Sequence, residues 1–558
     1  MNENRNGSTA NDDFAAFAKG ALDDALKHRP DWATEVGDHR YDDELPGASP
    51  QALETWRTIA GKHLERLAGF DLDAINAENR VDANLLRNAF EQIAYALDEL
   101  REHTWNPMAS NPGRAIYGLT SRDFAPPGDR LRSLARRLAA IPGALATARS
   151  NLGAMPRVHL ETALGQFAGT AALIVGEIDR LLALSPASRT EIDRVRPLAL
   201  EALDAHRAWM SERLAVSERD HSFRDPRIGA ERFRRKLALE LDAEADAPSI
   251  LARAEADLER VTEEITDAAS RRLSRPPSSP DVVRDALDAL AADAPNNDTI
   301  LDLASSALEA QIAFVEENAV VTTYKDRFEI IPMPEIDRGV AVAYCDPPGP
   351  LESADLPTFL AVSPTPAEWT NERVASFYRE YNRHLVHDLM IHEAMPGHML
   401  QLQHSKRFNG SSPVRAAFYS GSFVEGWAVY AERVMVELGY PGNGDPSALR
   451  LQQLKLQLRM ILNAILDAKI HTEGLSEDAA MKLMIGRGFQ EEGEAAGKWR
   501  RALLTSTQLS TYYVGYTEVS DLAGELRRRH PDSTLRSLHD RLLGHGSPAV
   551  RHLRTLVL

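Results

Sequence analysis

Ile391-His392-Glu393-Ala394-Met395-Pro396-Gly397-His398 closes a long amphipathic run, and its reading decides how the rest of the chain is understood. It holds a His-Glu pair and a second histidine within seven residues. Phe423-Val424-Glu425-Gly426-Trp427-Ala428 follows one helix further on. Two imidazoles and one carboxylate can share a metal ion, with the other carboxylate left to act as a base. His392, His398 and Glu425 are therefore the candidate metal ligands. Glu393 is the candidate general base of a mononuclear zinc hydrolase.

The spacing makes a geometric demand. Zinc-binding helices of the His-Glu-x-x-His type space their histidines at i and i+4, so both project from one face. Here the spacing is i to i+6, and at ~3.6 residues per turn that leaves the imidazoles roughly 120° apart. An unbroken helix would keep them from a common ion. Pro396 cannot donate to the carbonyl of His392, and its ring opposes helix continuation, whereas Gly397 tolerates unusual dihedrals. The sequence thus predicts a bulge or break over Met395–Gly397 that swings His398 back beside His392. The competing reading is two polar residues near a helix end, in a chain with 17 histidines, and a solvated helix carboxylate at Glu425. Gly426 and Trp427 argue against an exposed face there.

Outward from this stretch the texture is helical. Thr365-Pro366-Ala367-Glu368 reads as a helix start, with Thr as N-cap, Pro at N1 and Glu at N3, and a helix from Trp369 to Ile391 delivers His392. Just upstream, Arg327–Ile331, Val340–Cys345 and Thr358–Val362 are short, β-branched or aromatic and flanked by Pro or Gly, as strands are. Thr358–Val362 is the strand read as an edge open to an extended peptide. Before Val320 the apolar residues recur at three and four over Gln51–Leu67, Val81–Trp105, Arg130–Leu152, Val158–Leu184 and Arg189–Val216. The first dozen residues read as a disordered tail. Downstream, Val414–Leu438 carries Glu425, and Ala448–Glu473, Glu492–Leu504 and Tyr516–Arg529 continue the helical pattern. The expected fold is mainly α, a large multi-helix fold with a small β-sheet beside the metal-binding helix. Residues 1–319 would form one wall of a cleft and 320–558 the metal-binding catalytic region.

Composition narrows the function. The chain has 558 residues, 43% hydrophobic and 26% charged, ordinary for a globular protein. A net charge of −18 argues against nucleic acid or an anionic membrane as the main partner. The single cysteine, Cys345, rules out an internal disulfide and fits a reducing compartment. Met1–Gly20 lacks a basic and apolar leader pattern, so the expected location is cytoplasmic. There is no Gly-x-Ser-x-Gly elbow and no phosphate-binding Gly-rich loop.

The string His-Glu-Ala-Met-Pro-Gly-His-Met-Leu-Gln from His392, with Glu-Gly-Trp-Ala-Val-Tyr-Ala-Glu from Glu425, resembles the bacterial domain-of-unknown-function family 885. That family looks like a distant relative of the gluzincin metallopeptidases. Similarity extends to Ala33-Thr34-Glu35-Val36-Gly37-Asp38-His39-Arg40-Tyr41-Asp42, to Tyr344-Cys345-Asp346-Pro347-Pro348, to Arg501, and to Gln508-Leu509-Ser510-Thr511-Tyr512-Tyr513-Val514-Gly515. The resemblance implies His392, His398 and Glu425 as ligands of Zn2+ and Glu393 as base. Two departures stand out. The family's Arg-x-x-x-Asp-x-Gly-x-His reads here with Asn463 for the Arg and Lys469 for the Gly, keeping Asp467 and His471. Ser506-Thr507 stands where Pro-Gly commonly precedes the glutamine.

Around such a centre, Tyr512 and His471 are candidate oxyanion donors and Arg501 a candidate binder of a substrate carboxylate. Asp388, one turn before His392, is a candidate acceptor for its imidazole, and Glu432 for that of another ligand. The expected partner is a short peptide or an amide-containing small molecule; a homodimer is compatible with the sequence, which does not fix the oligomeric state. Two other readings stay open: a specialised hydrolase of a biosynthetic metabolite, and a non-catalytic helical binding protein with a structural metal.

Overall fold

In the computed structural model, residues 2–334, 342–366 and 369–558 are described. The chain is mainly helical with one small sheet, because its apolar residues recur almost everywhere at helical spacing. It forms two compact units. The first comprises residues 1–228 with two returning segments, 348–356 and 410–418; the second comprises 229–347, 357–409 and 419–558. The texture change near Val320 therefore falls inside the second unit, and helices from Ala230 to Glu317 belong to it.

In the first unit the long helices expected from periodicity span Pro50–Ala68, Ala77–Tyr95, Pro127–Asn151, Arg157–Leu184 and Arg189–Asp220. Leu131, Leu138, Leu160, Phe167, Ile174 and Leu203 lie in a core shared by the last three of these helices. The N-terminal helix begins at Asn2, inside the stretch expected to be a disordered tail, and ends at His28, where Pro30 starts the next. The stretch Glu35–Asp42 is built by specific polar contacts. Gly37 adopts φ 88°, in the left-handed region that favours glycine, and His39 bonds both Asp42 and Glu352. Arg137, fully buried, donates to the carbonyls of Glu44, Ala115 and Pro30 and so ties this turn to the long helices.

The second unit carries the sheet: β1 (Phe328–Pro332), β2 (Ala343–Asp346) and β3 (Thr358–Val362), in the order β1-β3-β2. β3 pairs parallel with β1 and antiparallel with β2, placing Cys345 opposite Leu360. β3 is thus the central strand, and its edge role is corrected: both its flanks are already hydrogen-bonded, and β2 and β1 are the edges. The predicted strand start at Val340 and the Ala367–Glu368 part of the predicted cap lie outside the described residues.

The run expected as one helix from Trp369 to Ile391 is two. Asn371–Glu380 is capped by Thr370, whose side chain accepts from the amide of Arg373. α1 (Arg383–Glu393) restarts at Asn382, whose side-chain Oδ1 accepts from the amides of His384 and Leu385. After it come α2 (His398–Lys406), α3 (Gly421–Glu437), α4 (Pro446–Glu473), α5 (Glu492–Leu504) and α6 (Ser510–Arg529). Met390, Ile391, Leu400, Phe423, Trp427 and Val519 share the core that holds α1, α2, α3 and α6 together. Among the described residues no helix is long and apolar enough to cross a membrane.

Candidate metal centre

α1 stops at Glu393, and the backbone then turns sharply through Ala394 (φ −124°, ψ −78°) to Gly397 (φ −74°, ψ −131°) before α2 begins at His398. The Met395–Pro396 peptide is cis. The amide of Gly397 donates to the carbonyl of Ile391 at 3.0 Å, folding the turn back onto the end of α1. A Cβ at residue 397 would lie 1.9 Å from the carbonyl oxygen of His392, so this approach requires glycine. The indole of Trp427 fixes the turn from the other side, donating to the carbonyl of Pro396 at 2.8 Å in a buried position. Local backbone chemistry thereby brings histidines six apart to ring centroids 4.6 Å apart.

α3 supplies the third group. Glu425 Oε2 lies 3.3 Å from His392 Nε2 and 3.5 Å from His398 Nε2, and one donor atom from each residue falls within 4.8 Å of the others. Yet this oxygen is buried and makes no hydrogen bond to either ring. Three donor atoms that close together could be shared by a single cation. Burial opposes charge on Glu425, but the two imidazoles hold its carboxyl well below the usual range. His392 is moved the opposite way: burial disfavours its charge, and Glu425 and Glu432 outweigh that and raise it well above the usual value.

Glu432 is the residue whose role the sequence placed less well. Its Oε1 accepts from His392 Nδ1 at 2.6 Å, so Glu432, and not Asp388, orients the ring. The signal available was its position seven residues after Glu425, two helical turns along one face. Asp388 is fully buried, and neither of its oxygens has a hydrogen-bond partner. Burial and the neighbouring Glu432 push its carboxyl well above the ordinary range, toward the neutral acid.

Glu393 is buried beside the cluster, and its Oε2 accepts from the backbone amide of Cys345 on edge strand β2 at 3.1 Å. No sequence signal marks such a contact, because any residue offers the same amide. Burial raises the Glu393 carboxyl above its ordinary value, the nearby Glu425 adds to this, and the two imidazoles oppose it.

The other predicted residues fall on α4, α5 and α6. A Cβ on Gly426 would meet the carbonyl carbon of Gly515 at 2.2 Å, and one on Gly515 would meet the Ser422 carbonyl oxygen at 1.8 Å. Two glycines therefore let α3 and α6 touch backbone to backbone right beside Glu425. Tyr512 precedes Gly515 by three residues, close to the same helix face. Its hydroxyl accepts from Arg501 Nη2 at 3.1 Å, and Arg501 also donates to Gln508 at 2.8 Å. His471 is committed elsewhere: its Nε2 faces the carbonyl oxygens of Ala502 at 3.0 Å and Thr505 at 3.2 Å, and its ring stacks on Phe233. Asp467 accepts from the amides of Thr507 and Ser510, and burial pushes its carboxyl up to about 6. Together they anchor the connection from α5 to α6.

The fold is that of a large helical protein, and its partly buried His392, His398 and Glu425 are a group that could hold one metal ion. The chain belongs to the family described as bacterial proteins of unknown function (DUF885), which matches residues 30–557. It is similar to a solved structure from Shewanella oneidensis, named as a candidate lipoprotein of unknown function, with 30% identity and a TM-score of 0.83 over 97% of this chain and 99% of that one. A candidate lipoprotein from Colwellia psychrerythraea shares the fold at 17% identity, with a TM-score of 0.81 over 98% of each chain. No curated protein matches the chain.

Proposed function

We propose that the protein is a zinc-dependent hydrolase of peptide or amide bonds, related to the gluzincins, in which His392, His398 and Glu425 hold the ion. The observation that carries this reading is the Oε2 of Glu425, buried between two imidazole nitrogens and hydrogen-bonded to neither. A zinc ion bound there would supply Lewis acidity toward an amide carbonyl and bring the pKa of water down to about 7. Glu393 takes the proton of the attacking water and delivers it to the leaving amine; its raised pKa suits a group that must both accept and return a proton. The Cys345 amide fixes Oε2 of that carboxylate and leaves Oε1 to carry the proton. Glu432 keeps the Nε2 edge of His392 turned toward Glu425.

Tyr512, steadied by Arg501, is the donor to the developing oxyanion, and Arg501 is the group that meets a substrate carboxylate. His471 acts by position: with its Nε2 proton shared between two carbonyls, it holds the end of α5 that carries Arg501. The test is Glu393→Gln, digested against a peptide library with and without chelator. Zinc content should stay at the wild-type level while hydrolysis falls by several orders of magnitude. Undiminished cleavage by this variant would remove Glu393 from the mechanism.

A further inference from the structure

A layer of charged side chains runs between α4, α5 and the helix Asn371–Glu380, and its charges do not balance. Lys455 pairs with Glu380 at 2.9 Å, and Arg459 pairs with Glu494. The hydroxyl of Tyr381 bridges the second pair, accepting from Arg459 and donating to Glu494. One turn further along α5 stands Lys498, only 4% exposed, and then Arg501. Among the described residues Lys498 has no carboxylate within ion-pair distance; the charges around it are Arg459 and Arg501 as well as the already paired Glu494 and Glu380. Arg501 bonds neutral side chains among the described residues, those of Gln508 and Tyr512. On α4, one turn after Arg459, the buried Oδ1 of Asn463 has no hydrogen-bond partner.

A protein does not ordinarily bury an ammonium group unpaired, because desolvation disfavours the charge. Here burial holds the Lys498 amine well below its usual pKa, and Arg459 deepens the effect. An anion entering this layer would meet the Arg501 guanidinium and an amine whose protonation the anion itself would favour, neither of which has a carboxylate within ion-pair distance among the described residues. The layer also connects to the proposed centre: Arg501 holds the Tyr512 hydroxyl, and Tyr512 lies one turn before the Gly515–Gly426 crossing beside Glu425.

We propose that Lys498 and Arg501 form the floor of an anion pocket that receives a carboxylate of the substrate, so that the preferred substrates are acidic amides or peptides. This rests on the hydrolase reading for its meaning but not for its existence, and it extends the Arg501 contact of that reading to a two-residue pocket with Lys498 that selects acidic substrates. The carboxylate is either a chain terminus or an acidic side chain, and the same pocket chemistry serves both.

The test begins without catalysis. Titration of glutarate into metal-stripped protein should give saturable binding in the wild type. Binding should be roughly ten- to hundredfold weaker in Lys498→Met and in Arg501→Gln, the range for a lost charged hydrogen bond. Lys498→Arg, which supplies a cation at the same place, should retain most of the affinity, and Lys498→Met should melt no lower than wild type, since it removes a buried amine that has no ion-pair partner among the described residues. Failure of glutarate to bind the wild type, or equal binding by all variants, would overturn the proposal. With zinc restored, peptide pairs differing only in a C-terminal acid or amide, and pairs differing only in Glu or Gln, locate the recognised carboxylate. One pair should show a preference of about tenfold or more in kcat/KM that collapses in Lys498→Met. Hydrolysis with no preference in either pair would sink the anion pocket and leave the metal centre standing. Glutarate binding without any hydrolysis would do the reverse.

Discussion

His39 in the first unit and His392 in the second are each flanked by two carboxylates, and the two environments differ in what they leave unfinished. His39 reaches Asp42 through Nδ1 at 3.0 Å and Glu352 through Nε2 at 2.8 Å, and its ring stacks on Phe124. Every polar edge of that ring is used, and the result is a closed tie between the turn at Glu35–Asp42 and the segment 348–356. His392 is satisfied on one side only, by Glu432. Its Nε2 faces Glu425 without a hydrogen bond, and His398 faces the same oxygen. A histidine between carboxylates is therefore structural when its contacts close, and a metal ligand candidate when a second imidazole joins and an oxygen is left orphaned.

The comparison breaks most readily at the glycine pair beneath Glu425. Gly426→Ala places a methyl 2.2 Å from the backbone of Gly515, so α3 and α6 must separate. We expect a loss of about 3 kcal/mol or more in denaturant melts, the upper range for overpacking against backbone, together with weakened zinc uptake. Unchanged stability would show that the crossing is not as tight as described. A sharper contrast follows from the orienting carboxylates. Glu432→Gln should weaken zinc affinity by roughly ten- to hundredfold, as loss of an acceptor behind a ligating histidine does. Asp42→Asn, the equivalent change at His39, should leave zinc affinity unaltered, and competition with a chromogenic chelator reads both. Equal affinity in Glu432→Gln would mean that His392 needs no support from that side.

The smallest effect concerns Thr507, a β-branched residue held at φ 71° in the left-handed region. Thr507→Gly should relieve backbone strain of about 1 kcal/mol, partly offset by the greater freedom of glycine in the unfolded chain. A net gain of a few tenths to about 1 kcal/mol in chemical denaturation is expected. A clear loss would show that the bonds of its hydroxyl to Glu240 and Lys236 outweigh the strain.

How far the sequence carried depended on the kind of interaction. Helix content was legible because the periodicity of segments such as Arg130–Leu152 and Val158–Leu184 is a local property of the chain. The need for a break between His392 and His398 was legible too, since no regular helix reconciles a six-residue spacing with one ion. Its means were only half visible: Pro396 and Gly397 announce a turn, but the clamp from Trp427 to the Pro396 carbonyl joins two distant segments. The restart at Asn382 was missed because the apolar pattern runs through it, and only the side-chain cap reveals the interruption. Thr358–Val362 was misplaced as an edge because strand order is decided by pairing partners, which composition does not encode. His471 looked chemical by residue type, whereas its neighbours on α5 turn it into an anchor.

The most direct test is the zinc content of purified protein, measured by elemental analysis after dialysis against a weak chelator, for wild type and His398→Ala. One tightly held zinc per chain in the wild type, absent from the variant while its circular dichroism is unchanged, is the predicted result. Zinc retained at the wild-type level by folded His398→Ala would contradict the account.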